Sequence, residues 1–331
     1  MNVYRERVLA ALRALRVESP TSFTWLGEPG PTVPAEVGSA MDPATAREYL
    51  RFTLQSHLYA NFYTRGGVTP ARGAQDLQPE VGWTPFVESL SASNAGSGSR
   101  DPGWVVDRED DDGRLVVSRE GLSLWARPDE IAAASTEPGT HVSVRLPKEL
   151  LRLSPGFYFA LGNEEFPEDG SIVRTYWHLR SDASSQLMAE LTASLNAARV
   201  PFRFKVLKHP SSYLRCDAGV LYTQAGDFPR LAPLVAGAHE RIRPWLRAET
   251  PALTKRLADG LGFAEEPPSS ESFGMSRCLL LAEGAIRAWE QGLAEAEAQL
   301  AVAEAAFAEA GLSLDAPFLN PGSSDVYRLP G

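Results

Sequence analysis

In the run RTYWHLR, Arg174, Tyr176 and His178 stand at i, i+2 and i+4. In an extended strand all three leave one face, with Val173, Thr175, Trp177 and Leu179 on the other. The run PFRFKV repeats the pattern, with Arg203 and Lys205 on one face and Phe202, Phe204 and Val206 turned to the core. Arginine's planar fork pairs with phosphate through two bonds at once, which makes Arg203, Arg215 and Arg277 candidates for holding a phosphoryl group. Lysine can do something else. An ammonium crowded by cations gives up its proton more readily, so Lys205, between Arg203 and Lys208, is a candidate general base. His178 can be the matching acid if a nearby dianion keeps it protonated. This arrangement inverts the ordinary order, about 10.4 for lysine against about 6.5 for histidine, at roughly 1.4 kcal/mol per unit, which requires a preorganised pocket.

A base, an acid and a phosphate clamp without a metal-ligand cluster fit removal of phosphate by elimination better than by hydrolysis. Hydrolases and kinases use paired carboxylates for magnesium or a glycine-rich phosphate loop, and neither stands in this sequence. The five histidines, His57, His141, His178, His209 and His239, are scattered singly, against the spacing of a zinc site. No G-x-S-x-G elbow is present, and Gly96-Ser97-Gly98 reads as a loop. No metal or cofactor is expected. Residues 171 to 222 hold seven basic side chains (Arg174, Arg180, Arg199, Arg203, Lys205, Lys208 and Arg215) against only Asp182, Glu190 and Asp217. Surface ion pairs would give the same excess, and an antiparallel sheet with one wet side would give the same alternation. A merely wet face, however, would mix in Glu, Ser and Thr rather than assemble three cations, a histidine and a tyrosine.

These side chains need a scaffold. A helix is expected over Val3 to Val17, where Val8, Leu9, Leu12 and Leu15 recur at helical spacing, and a second over Asp42 to Phe62, opened by Asp42-Pro43 and closed by Gly66-Gly67. The stretch 91–103 is turn-rich. From Trp104 to Leu146 short β-type runs (WVVD, LVVS, LSLWA, HVSVRL) alternate with turns, which predicts a meander. Strands are expected over 156–162, 171–179, 202–207 and 218–222, with a helix over 181–199. One long final helix is expected over 277–310, stopped by Gly311. The fold class is α+β, with antiparallel or mixed sheets packed against helices. A helical region over 1–103 packs on an α+β catalytic region over 104–331, together forming one compact unit.

The arrangement TYWHL, then FRFKVLK, then YLRCDAGVLY, then SFGMSRC resembles the phosphothreonine lyases, bacterial effectors that strip phosphate from host MAP kinases by β-elimination. It resembles more closely the related Hop-type effector domain of plant pathogens and of the stand-alone lyases in class V lanthipeptide and thioamitide pathways. LYANFYTRGG, SNAGSG with DPGW, and GFYFALGNE extend that resemblance over most of the chain. It implies a phosphothreonine lyase-like catalytic part in which Lys205 takes the Cα proton of a phosphoserine or phosphothreonine and His178 protonates the departing phosphate. Arg203, Arg215 and Arg277 would bind that phosphate, with Tyr222 near the substrate. Two positions depart from the pattern: Tyr176 stands where phosphothreonine lyases have a lysine, and Arg203 replaces another. Arg174 can compensate for the first, and Lys208 adds a further cation. Structural roles compete at several of these positions. Arg277 can cap the last helix, Tyr222 can be a core aromatic, and Arg215 can pair with Asp217.

The reading that follows is a lyase of peptide biosynthesis. Its substrate would be a ribosomal precursor peptide phosphorylated by a separate Ser/Thr peptide kinase, and its products dehydroalanine and dehydrobutyrine. A secreted effector acting on a host phosphoprotein is the alternative, and a non-catalytic phosphopeptide or leader-binding module a third. With 32 basic and 42 acidic side chains, the formal charge of −10 argues against nucleic acid or anionic membrane as partners. Two cysteines, no apolar run near ~20 residues and a charged amphipathic start suggest a cytoplasmic protein.

Overall fold

The alternating runs around Arg174 and Lys205 do fold as strands, in a computed structural model that describes residues 2–71, 84–133, 135–167, 169–268 and 271–330. The described helices are α1 (Val3–Ala14), α2 (Ala35–Ala40), α3 (Pro43–Asn61), α4 (Thr84–Ser93), α5 (Ser184–Ala197), α6 (Phe228–Ile242), α7 (Phe273–Glu290) and α8 (Ala296–Glu309). The described strands begin with β1 (Leu15–Ser19), β2 (Ser22–Trp25) and β3 (Glu28–Pro29), which form a small sheet in that order. Next come β4 (Arg100–Glu109), β5 (Leu115–Arg119), β6 (Leu122–Ala126), β7 (Ile131–Ala132) and β8 (His141–Arg145), in the order β6-β5-β4-β8-β7. The remainder are β9 (Glu149–Leu150), β10 (Phe157–Leu161), β11 (Ile172–Trp177), β12 (Arg203–Leu207), β13 (Gly219–Gln224), β14 (Lys255–Ala258) and β15 (Leu261–Glu265). They form a seven-stranded sheet in the order β14-β15-β11-β13-β12-β10-β9, every neighbouring pair antiparallel. The class is α+β. No described helix is long and apolar enough to cross a membrane.

Local chemistry explains where the helices begin and end. Asp42 caps α3 by accepting from the Ala44 and Thr45 amides, with Pro43 in the first turn where its missing N–H costs nothing. The first helix is shorter than its apolar spacing predicts. At Leu15 the backbone turns extended (φ −98, ψ 133), and Leu15 to Ser19 pairs with Ser22–Trp25 instead. The single final helix is also corrected, because it is two. Gly292, at φ +71, closes α7 with its own N–H on the Trp289 carbonyl while the Leu293 N–H reaches Ala288. That pair of bonds is a Schellman stop. Gly311 ends α8 in the same way, through Gly311 to Ala308 and Leu312 to Phe307. The two helices then fold back on each other. A Cβ added at Gly284 would lie 2.5 Å from the Cα of Ala303, so only hydrogen fits between the axes. Gly284→Val is expected to cost about 2–3 kcal/mol by overpacking, read as a lowered urea midpoint. An unchanged midpoint would mean that the helices part freely.

Most apolar side chains belong to one core that joins α1, α3, α7 and α8 to the seven-stranded sheet, whereas β4 to β8 enclose a small core of their own around Trp104, Val106 and Val117. On one sheet face, α6 sets Phe228 against Phe263 (5.3 Å between centroids) and His239 against Trp177 (6.5 Å). On the other, Tyr63 and Phe273 meet the ring of Tyr176 at 6.5 and 6.4 Å. Within this core the ring of His57 stands edge-on to Phe23 and Trp25, and its Nε2 has no hydrogen-bond partner among the described residues. Burial pushes His57 down to about 4. Its folded value therefore lies below the unfolded one of about 6.5, so its contribution is intact above pH 6.5 and lost as pH falls towards 4. The loss is expected to be about 2–3 kcal/mol, and His57→Gln should flatten the measured pH dependence of unfolding over that window.

Candidate active site

Antiparallel register sets Arg174, Tyr222 and Arg203 side by side in one row across β11, β13 and β12, with Ala264 and Leu161 at its ends. The next row on the same face runs Gly262, Tyr176, Val220, Lys205, Phe159. The strand that leads into His178, β11, and the strand of Lys205, β12, are not neighbours, because β13 lies between them. β11 and β12 both run antiparallel to β13 and hence parallel to each other, and the crossover through α5 leaves a slot that the later strand fills.

Lys205 sits half-buried among aromatic rings. Its Nζ is 4.6 Å from the centroid of Phe157 and 5.4 Å from that of Tyr222, while Phe159 stacks on Tyr222 at 6.1 Å. Among the described residues no acceptor lies within hydrogen-bonding distance of this ammonium, so ring faces are its immediate company. Arg203 lies over Phe166 at 4.5 Å and Arg174 over Tyr222 at 4.9 Å. Tyr222 is half-buried on this shared floor rather than sunk in the core.

Alongside the floor stands an ion pair between a half-buried arginine and a buried aspartate. Arg215 donates from Nε and Nη2 to the two carboxylate oxygens of Asp217 at 2.8 and 2.7 Å, and also from Nη2 to the Tyr59 hydroxyl at 3.0 Å. Tyr59 in turn donates to Asp217 at 3.1 Å. Burial alone would raise the Asp217 carboxyl, but the Arg215 guanidinium, with the charge of Lys205 adding to it, holds it below the usual carboxylate range. Burial likewise works against the charge on Arg215, and Asp217 outweighs it, keeping the guanidinium above its ordinary range. Tyr59 is pushed up, mainly by burial and then by the same carboxylate. The pairing of Arg215 with Asp217 occupies two of its nitrogens, leaving one edge of the fork.

His178 stands just beyond the end of β11, on the alternation that includes Arg174 and Tyr176, only 4% exposed. Its Nδ1 is 3.1 Å from the Glu249 carbonyl oxygen, which fits an Nδ1–H donor, and its Nε2 is buried without a partner among the described residues. Burial, with the charge of Arg247 adding to it, lowers its proton affinity below the ordinary histidine value, while the Glu249 carbonyl, the Glu249 carboxylate and Asp217 work the other way. Two strand spacings across and one same-face step along the sheet separate it from Lys205, about 12 Å between Cα atoms. The two groups thus flank a space and do not touch.

The remaining sequence cations have partners of their own. Arg174 pairs with the carboxylate of Glu266. Lys208 emerges with the opposite parity to Lys205, and its ammonium donates to the Leu151 carbonyl. Arg277, 2% exposed, donates from Nε to the Pro317 carbonyl at 2.8 Å and from Nη2 to Leu319 at 3.1 Å, fastening α7 to the C-terminal segment. Burial lowers it to about 10. The structure therefore brings together Lys205, Arg203, Tyr222, Arg174 and Arg215, places His178 at one end, and leaves Lys208 and Arg277 outside. Sequence reasoning missed Tyr59, Phe157, Phe159, Phe166 and Glu266, and took Asp217 only as a partner for Arg215. The aromatic density of LYANFY and GFYFALG was the available signal for the rings, and Glu266 had none. No group of three or more His, Cys, Asp or Glu placed to hold a metal occurs among the described residues.

A sequence model of the HopA1 effector protein family matches residues 149–319, just over half of the chain. That span includes every strand of the seven-stranded sheet and all the candidate residues except those on α3. No curated protein matches. Among solved structures, an effector protein from Pseudomonas syringae pv. tomato strain DC3000 is similar at 18% identity, over 86% of this chain and 94% of its own, with a TM-score of 0.48. Another, from Pseudomonas syringae pv. syringae strain 61, is similar at 16% identity, over 82% and 89%, with a TM-score of 0.47.

Proposed function

Because the chain belongs to the HopA1 effector protein family, we propose that it is a lyase that removes phosphate from phosphoserine or phosphothreonine by β-elimination. The observation that carries this reading is the Lys205 ammonium, bonded to no described residue, on a floor shared with Arg203 and flanked by Arg215. In its neutral form Lys205 takes the Cα proton. The released electron pair becomes the Cα=Cβ bond, the Cβ–O bond breaks, and the phosphate leaves with that bonding pair. Arg203 and the remaining edge of Arg215 hold the phosphate as charge builds on it. A dianion lodged between the two ends of the site raises the proton affinity of His178, whose imidazolium then supplies a proton to the leaving oxygen. Tyr222 borders the reacting carbon, and the products are dehydroalanine or dehydrobutyrine.

The family match favours a phosphoprotein of a host cell as substrate. The motif resemblance of the sequence favours a ribosomal precursor peptide, phosphorylated beforehand by a separate kinase. Both present a phosphoresidue on an extended chain, and the chemistry is common to them. The test is incubation with a phosphopeptide and mass analysis of the product. Loss of a whole phosphoric acid supports elimination, with the rate unchanged by a chelator. Loss of only the phosphoryl group, leaving serine or threonine, would mean hydrolysis and end this reading.

A further inference from the structure

Where β11 and β12 end, a cavity of about 450 Å³ opens, lined by Arg180, Asp182, Pro210, Tyr213, Leu214 and Arg247 among others. Its two walls are continuous with the candidate site. On one side Leu214, an exposed apolar side chain whose carbonyl accepts from Arg65 at 2.9 Å, immediately precedes Arg215. On the other, the Arg247 amide donates to the His178 carbonyl at 2.9 Å, next to the bridge between Leu179 and Leu246. The charges in the cavity are not balanced. Arg180 pairs with Asp182, whereas the exposed guanidinium of Arg247 has no hydrogen-bond or ion-pair partner among the described residues. Glu249, two residues on, is turned to His178.

We propose that this groove receives an acidic segment of the peptide substrate, next to the phosphoresidue that is eliminated. The inference rests on the lyase reading for its substrate and on the groove itself for its chemistry. An extended chain advances about 3.3 Å per residue, so a peptide with its phosphoresidue at Lys205 reaches Arg247 about three to five residues away. There a Glu or Asp meets an unpaired guanidinium, and an aliphatic neighbour meets Leu214. Elsewhere a chain of net charge −10 repels an acidic segment, so the groove selects where such a segment lies.

Two phosphopeptides differing only in Glu or Gln at those flanking positions test this. Wild type is expected to show a KM about tenfold lower for the Glu peptide, with kcat the same for both. Arg247→Glu and Arg247→Gln should abolish that preference, so that each variant treats the two peptides alike. Equal kinetics for the two peptides with wild type, or a preference that survives in both variants, would overturn the proposal without touching the lyase reading. If neither phosphopeptide is eliminated at all, the lyase reading fails by itself. The groove is then judged by fluorescence anisotropy of the unphosphorylated Glu peptide. Binding that weakens about tenfold in Arg247→Glu supports it, and binding that is absent or indifferent to the substitution overturns it.

Discussion

Replacing Lys205 by alanine is expected to lower the rate of elimination by about 10²- to 10⁴-fold while the phosphopeptide still binds. The separation follows from where its atoms lie. Lys205 is half-buried over Phe157 and Tyr222 and bonds to no described residue, so its loss removes a proton acceptor and strands no partner. Arg203 and Arg215 remain to hold phosphate. Lys205→Arg is the sharper control, since it keeps a cation in place but cannot be deprotonated. Both variants should therefore fail alike in single-turnover mass analysis, with affinities within a few-fold of wild type by anisotropy. Substantial turnover by Lys205→Arg would show that the position contributes charge alone, and the base would have to be sought elsewhere.

Asp217→Ala is expected to destabilise the fold by about 2–3 kcal/mol, because it leaves the half-buried guanidinium of Arg215 with its main counter-charge gone. Asp217 is 4% exposed, and Tyr59 loses its acceptor in the same change. Removing both partners should hurt less than removing one. In a double-mutant cycle by urea unfolding, Arg215→Met with Asp217→Leu is expected to recover much of the loss of either single variant. A cost for Asp217→Ala below about 1 kcal/mol would place the pair in the class of solvated surface bridges. The same pairing fixes a pH dependence. The folded carboxyl lies below its unfolded value, so its contribution is present above the ordinary carboxylate range and disappears as pH falls through the folded value.

Much of this architecture is legible in the residues themselves. The strands over Ile172–Trp177 and Arg203–Leu207 follow from alternation, the start of α3 from Asp42-Pro43, and the stop after α8 from Gly311. Two misreadings have local causes. Gly292 is as good a stop as Gly311, but its surroundings are rich in helix formers, and Val17 fits an apolar helical stripe as well as it fits a strand. Other elements lie outside the sequence expectations. The helix over Phe228–Ile242 carries an apolar stripe that predicts it, whereas the paired strands β14 and β15 carry little signal until β11 pairs with one of them.

By itself the sequence determined which side chains share a face with Lys205 on β12, and with Arg174 on β11. That depends only on the two-residue pitch of an extended backbone. It also determined the net acidity, the two ends of α3, the stop after α8 and the α+β class. Tertiary structure decided the order of strands, placing β13 between the strand that leads into His178 and the strand of Lys205. It also decided the partner of each cation: Asp217 for Arg215, Glu266 for Arg174, main-chain carbonyls for Arg277 and Lys208, and ring faces for Lys205. The physical reason is range. Side-chain direction is set within a few bonds, whereas strand pairing and the neutralisation of a buried charge depend on residues tens to hundreds of positions away, brought together only by burial of the common core.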